Sequence, residues 1–459
     1  MRWAEEDAQP PRAGRQAPAC GRAPARLALI ACLTVLVLLP AAAQRRGATS
    51  RPADESDGGQ TPAVFRRFAA QVLKVQVSEI RSGAKAVTGS GFYVSAEGHV
   101  VTNYHVVAKL VHDPDRYRVE LIDSAGTTRE VTVVAVDVVH DLALLASGVR
   151  TARWFALAPQ RIAQGLRLYS LGHPGDLGIA IVEGTYNGRL PHTLYPRIHF
   201  TGSLNPGMSG GPTITLDGRV VGVNVATSGN QQSFLVPVDD AAALLQRALA
   251  RPPRPADSLL ADVGRQLLAY QEDYLRGLLA APVPAVTLGR WRVPTRPADY
   301  FNCWGESDDE SDRPYVVVRH YCSTDDDVFL TGDESTGIID FEHDLLSSDQ
   351  LNRFQFHALY THQFRALSRD WEIDARGDDD LTAYRCRTGN VRERGITAKA
   401  IFCARRYKRL PGLYDVVFRL ATLGEPREGL LTTLTMSGVS YANAQMMVRR
   451  YVGAIRWIP

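Results

Sequence analysis

Residues 66–250 predict an all-β domain of barrel or sandwich type, and three observations carry that prediction. Short apolar or alternating runs recur along the segment. Turn residues separate them, most clearly Ala96-Glu97-Gly98 and Asp217-Gly218, the latter a strong two-residue hairpin signal. Apolar residues at helical spacing close the segment at 239–250, where Arg251-Pro252-Pro253-Arg254-Pro255 marks a boundary. Many short strands joined by tight turns make an antiparallel barrel or sandwich.

In chain order, residues 1–26 are arginine-rich and irregular. An apolar run follows at 27–39, then Pro40 and Ala41-Ala42-Ala43. A basic region, a short apolar core and an Ala-x-Ala ending predict a signal peptide over residues 1–43; left uncleaved, it would anchor the chain to a membrane. Leu29-Ile30-Ala31-Cys32 looks like a lipid-attachment box but stands at the start of the apolar run, so it reads as chance. Residues 44–64 are polar and read as a flexible spacer. Strands are expected at 72–77, 89–95, 99–102, 118–122, 131–136, 142–145, 166–171, 179–183, 197–201, 213–216 and 220–225. Residues 257–280 place Leu259, Leu260, Val263, Leu267, Tyr270, Tyr274 and Leu278 on one helical stripe, so residues 252–285 read as a proline-rich linker with a helix. Residues 286–459 mix strands (315–320, 337–341, 415–420, 430–436) with a terminal helix from about Tyr441, and read as an α+β domain.

Composition excludes some functions. Net charge is +3; removing residues 1–43, with five arginines against three acids, leaves +1 and no basic stripe, so a nucleic-acid partner is not expected. Cys303, Cys322, Cys386 and Cys403 all lie in the last third. In an exported chain they predict two disulfides, with nearest neighbours the favoured pairing; no Cys-x-x-Cys spacing supports zinc. The acidic clusters 308–310, 325–327 and 378–380 do not follow calcium-loop spacing and read as solvated turns. No metal or other cofactor is expected.

The chemistry is expected at Asn205-Pro206-Gly207-Met208-Ser209-Gly210-Gly211-Pro212, a tight turn that exposes one hydroxyl. The amides of Gly207, Met208 and Ser209 can converge there as an oxyanion hole. A serine needs a base, and the base needs a carboxylate to set its tautomer. His105, in Thr102-Asn103-Tyr104-His105-Val106-Val107, stands where a strand passes into a helical turn, and Asp141 stands at the mouth of the apolar strand 142–145.

These segments, with Gly89-Ser90-Gly91-Phe92, resemble the Deg/HtrA-type branch of the trypsin-like serine proteases over about residues 66–250. The order His, Asp, Ser and the spacings of 36 and 68 residues agree with it. The resemblance implies two packed six-stranded β-barrels over residues 65–251. It also implies a catalytic triad of His105, Asp141 and Ser209, and an oxyanion hole at Gly207 and Ser209 with Met208 between them. It places His173 in a loop near the active site, whereas His99 and His140 read as surface or packing residues. It implies protein or peptide substrates and allows a homo-oligomer. No acidic residue lies in 201–209, so cleavage after aliphatic rather than basic residues is expected. Residues 257–459 show no PDZ-like carboxylate-binding loop, a departure from the family. An α/β-hydrolase esterase would need a helix after the serine, where a hairpin is expected here. A peptide-binding or chaperone-like protein without turnover is the non-enzymatic alternative.

Overall fold

A computed structural model describes residues 59–459 except 160, 228–231, 251–257, 309–311, 325, 333, 371–379, 394 and 459. The signal-peptide expectation lies outside these residues. So do most of the spacer, the proline-rich boundary at 251–255, and Asp309, Glu310, Asp325, Asp378 and Asp379 of the acidic clusters. A short helix, α1 (Gln60–Phe68), starts within the last part of the expected spacer and buries Val64 and Phe68.

The first six strands close a barrel in the order β1-β2-β3-β6-β5-β4. They are β1 (Val72–Glu79), β2 (Lys85–Tyr93), β3 (His99–Thr102), β4 (Tyr117–Ile122), β5 (Thr128–Asp137) and β6 (Leu142–Ala146), with α2 (Tyr104–His112) between β3 and β4. Alternation decides which face is inside: in β1 Val75 and Val77 are wholly buried while Lys74 and Gln76 are not. The second six, β7 (Arg167–Gly172), β8 (Ala180–Arg189), β9 (Ile198–Phe200), β10 (Pro212–Ile214), β11 (Val220–Thr227) and β12 (Ser233–Pro237), close another barrel in the order β10-β11-β12-β9-β8-β7. Closure removes the open sheet edges that a sandwich would leave. α3 (Val238–Leu249) follows, with Asp239 and Asp240 in its first turn, where acids suit the helix dipole.

α4 (Leu259–Ala280) buries the predicted stripe, including Leu259, Val263, Leu267 and Leu278. Its first half does not stand apart as a linker, because Leu259, Val263 and Leu267 join the apolar core of the first barrel. Beyond it lie β13 (Ala285–Leu288), β14 (Trp291–Pro294), β15 (Asn302–Asp308), β16 (Val316–Ser323), β17 (Val328–Thr331), β18 (Glu334–Thr336), β19 (Ile339–Ser347) and α5 (Arg353–Asp370). Then come β20 (Arg385–Glu393), β21 (Ile396–Arg406), β22 (Tyr414–Leu423), β23 (Glu428–Val439), α6 (Tyr441–Ala454) and β24 (Arg456–Trp457). Seven of these strands form one antiparallel sheet in the order β15-β16-β19-β23-β22-β21-β20. Cys303 pairs with Cys322 across β15 and β16, and Cys386 with Cys403 across β20 and β21, one staple at each flank of the sheet.

β17 and β18 make a separate hairpin that leaves this sheet and inserts into the first barrel's core. Val328 and Leu330 are each 1% exposed, packed in the cluster that holds Val107, Leu110 and Val111 of α2. Burial of each such side chain contributes about 1.5–3 kcal/mol.

Candidate active site

His105 is the second residue of α2, which begins directly where β3 ends. Asp141 directly precedes β6, and β6 pairs with β3, so the ladder sets the two residues side by side. One Asp141 oxygen accepts the His105 backbone N–H at 2.8 Å, and the other meets the imidazole Nδ1 at 2.6 Å. The aspartate thus fixes both the helix start and the ring. This two-point hold needs an unusual backbone: Asp141 has φ 53°, in the left-handed region. Asn103 Nδ2 donates to the Asp141 carbonyl at 2.7 Å and keeps it there. Burial pulls the His105 pKa down, but the charge and hydrogen bond of Asp141 push it up further, leaving it above its ordinary value of 6.5.

Ser209 lies in the connection before β10. Its surroundings explain the glycines on both sides of the barrel interface. Strand β2 runs between α2 and the serine turn, so a Cβ on Gly89 would meet Val106 at 2.6 Å and the Ser209 carbonyl oxygen at 3.2 Å. A Cβ on Gly210, which has φ 85°, would meet the Ser90 carbonyl oxygen at 2.2 Å. Ser90 ties this seam together. Its N–H donates to the Ser209 carbonyl at 2.7 Å and its hydroxyl to the Gly207 carbonyl at 2.7 Å, while that hydroxyl accepts the His173 N–H at 2.8 Å.

The Ser209 hydroxyl donates to the Val225 carbonyl at 3.2 Å. Val225 lines, with His105 and Asp141, one cavity of about 350 Å³. Asn224, fully buried, supports the turn from behind: its Nδ2 donates to the carbonyls of Leu171 and Met208, and its Oδ1 accepts from Ser170 and Thr213. Among the described residues the amides of Gly207 and Ser209 have no intramolecular partner. Met208 does not join them. Its N–H closes the turn onto the Asn205 carbonyl at 3.0 Å, and its side chain is sealed in the second barrel's core.

The remaining predicted histidines have other contacts. His99 Nδ1 contacts the Ser95 hydroxyl at 2.8 Å, and His140, which also lines the cavity, contacts Asp137 through Nδ1 at 2.9 Å. His173 is buried, and its backbone N–H donates to the Ser90 hydroxyl at 2.8 Å. Cys303, His320 and Cys322 bring metal-ligating atoms within 4.8 Å of one another, but the two cysteines are bonded together. The acidic turn 325–327 departs from expectation. Asp326 is buried and accepts the Leu194 N–H at 2.6 Å, so it anchors the hairpin instead of meeting solvent.

The trypsin-like peptidase domain family matches residues 89–223, the stretch that holds His105, Asp141 and Ser209. This double barrel is a trypsin-like peptidase domain. Its relatives are of the Deg/HtrA type. Serine protease HTRA2, mitochondrial, of Bos taurus is 35% identical over 171 residues, which cover 35% of this chain and 36% of the relative. Protease Do-like 5, chloroplastic, of Arabidopsis thaliana is 32% identical, covering 39% and 64%. A probable periplasmic serine endoprotease DegP-like of Halomonas elongata is 30% identical, covering 41% and 42%. The chain therefore spans 36% to 64% of the length of these curated relatives. A solved serine endoprotease from Yersinia pestis is 23% identical, with 43% of this chain and 70% of that chain covered and a TM-score of 0.36.

Two contributors to the candidate site come from outside the matched residues and carry no motif. Gln266 of α4 accepts the Val138 N–H at 3.0 Å and donates to the Val136 carbonyl at 2.8 Å, clamping the loop that delivers Asp141. Phe329 of β17 sets its ring edge-to-face with His105, centroids 6.0 Å apart. Neither signal exists in the sequence, since one Gln or Phe among many has no distinguishing neighbour.

Proposed function

We propose that the chain is an exported serine endopeptidase that hydrolyses protein or peptide substrates through an acyl-enzyme on Ser209. The observation that carries the reading is Asp141 holding His105 at two points, which leaves Nε2 as the free, basic nitrogen of the ring. For catalysis the Ser209 hydroxyl leaves the Val225 carbonyl and donates to that nitrogen. Nε2 accepts the hydroxyl proton as Oγ bonds to the scissile carbonyl carbon, and the imidazolium stays beside the Asp141 charge. The carbonyl oxygen becomes an oxyanion, received by the unpartnered amides of Gly207 and Ser209. Collapse breaks the C–N bond, and Nε2 returns its proton to the leaving amine. Water then repeats the sequence on the ester and frees Ser209.

The role extends to extracytoplasmic protein quality control or processing, with aliphatic side chains favoured at the cleaved position, and self-association of the chain fits the same role. Support comes from the apolar leader, the cysteine pairs and the relatives' printed names.

The test is covalent labelling of the full chain with a fluorophosphonate, followed by digestion of a denatured protein mixture. Wild type should label and cleave; Ser209→Ala should not label, and its turnover should fall on the order of 10⁶-fold. Absence of Ser209-dependent label on folded protein would replace this reading with that of a peptide-binding protein.

A further inference from the structure

The cavity beside His105 is not made by the peptidase domain alone. One side consists of Val138, Val139 and Val225 from the two barrels, and the opposite side is the hairpin of the C-terminal sheet domain, Asp327, Val328 and Phe329. We infer that this cavity is an apolar side-chain subsite for the substrate, and that Phe329 is its specificity-determining wall. The inference rests on the proposed endopeptidase activity and names what that site admits.

Three observations carry it. First, the wall is fixed rather than draped over the site. Val328 and Leu330 are buried in the first barrel's core on either side of Phe329, which itself stays half-buried. Leu194 N–H bonds Asp326 at 2.6 Å and the Tyr195 hydroxyl bonds the Asp327 carbonyl at 2.7 Å, so the hairpin is also pinned to the second barrel. Second, Phe329 meets His105 and Tyr104 edge-to-face, at 6.0 and 6.5 Å, and lines the cavity itself. Third, the lining is mainly apolar: five valines, Pro196 and Phe329 share about 350 Å³ with polar groups that already have partners, His140 on Asp137 at 2.9 Å and Arg197 on Asp326 at 3.6 Å.

A peptide whose carbonyl reaches Ser209 must lay a neighbouring side chain beside the imidazole of His105, and this is the space available to it. A valine or leucine fits there and removes apolar surface from water. A tryptophan presses on Phe329, and a carboxylate or ammonium group loses hydration beside polar groups that are already paired. Discrimination by a hydrocarbon pocket of this kind is typically 10- to 200-fold.

The experiment uses the full chain and a fluorogenic peptide library varied at three positions on each side of the cut. Wild type should favour Val and Leu over Trp at one position by at least about tenfold. Phe329→Ala should abolish that preference at the same position and leave the others unchanged, and Phe329→Trp should narrow it toward Ala. Phe329→Leu, close in size and polarity, should retain the wild-type order, which excludes a general loss of fold as the cause. Labelling of Ser209 by a small fluorophosphonate, run on each variant, identifies the protein whose nucleophile is intact and whose profile therefore counts. Were wild type and Phe329→Ala to give the same profile while both label, the subsite would be disproved and the endopeptidase reading kept. A uniform rate increase across every position would likewise overturn it, showing Phe329 to be an obstruction. Failure of wild type to label would instead remove the activity on which the subsite depends.

Discussion

At residue scale the site depends on Asp141, whose two oxygens do different work. The contact with the His105 amide fixes where α2 starts, and the contact with Nδ1 fixes the tautomer and raises the ring's basicity. Asp141→Asn tests both, because asparagine tolerates the left-handed backbone at this position. The sign follows from the causes. With Asp141 charged, the His105 pKa sits above 6.5, so the base is lost as pH falls through a value above that point. Without the charge, burial is what remains, and it lowers the pKa. The acid limb of kcat/KM should therefore move to lower pH in Asp141→Asn, while the plateau falls about 10⁴-fold. An unmoved limb would assign that titration to a different group. His105, Asp141 and Ser209 were legible in the sequence because each stands in a local motif at a strand end. The exclusion of the Met208 amide was not, since it depends on which carbonyl the turn folds back to reach.

At the scale of elements, the barrels were legible and the additions to them less so. Runs such as 142–145 alternate or stay apolar because both barrel walls demand it. Helix α5 was not expected, although Phe356, Tyr360 and Phe364 recur at helical spacing and pack in one cluster with Leu346 and Leu431; histidines, glutamines and arginines interrupt the pattern around them. The nearest-neighbour pairing of the cysteines has a structural reason. Cys303 and Cys322 are opposite residues of one ladder and Cys386 and Cys403 of another, which a hairpin of short connection brings together automatically. The bonds close segments of 19 and 17 residues. Loops of that length correspond to about 3 kcal/mol of stabilisation each. Urea unfolding followed by near-ultraviolet circular dichroism should show a clearly lower midpoint under reductant, and a smaller loss in each double Cys→Ala variant. Identical midpoints in oxidised and reduced protein would show the staples to be energetically idle.

At the scale of the whole molecule, the chain looks like two domains joined by a helix when read as a sequence, and the fold merges them. One apolar cluster joins Val75 of β1, Leu267 of α4, Leu330 of β17 and Leu413 before β22. Sequence reading could not reveal this, because residues that meet across domains leave no periodicity in either. A chain ended after residue 250 would expose the socket for Val328 and Leu330 and lose the Gln266 clamp on the Asp141 loop. It should aggregate or unfold, and label poorly at Ser209, whereas the full chain should melt in one cooperative transition by calorimetry. Two separated transitions, with the first half soluble and active alone, would contradict this. The hairpin carries a further meaning for biosynthesis. Phe329 emerges 224 positions after the imidazole that it borders. A nascent chain therefore cannot fill the socket beside its histidine–aspartate pair until Val328 and Leu330 have been made. The pair and the ring that borders it are completed together, by a slow long-range loop closure.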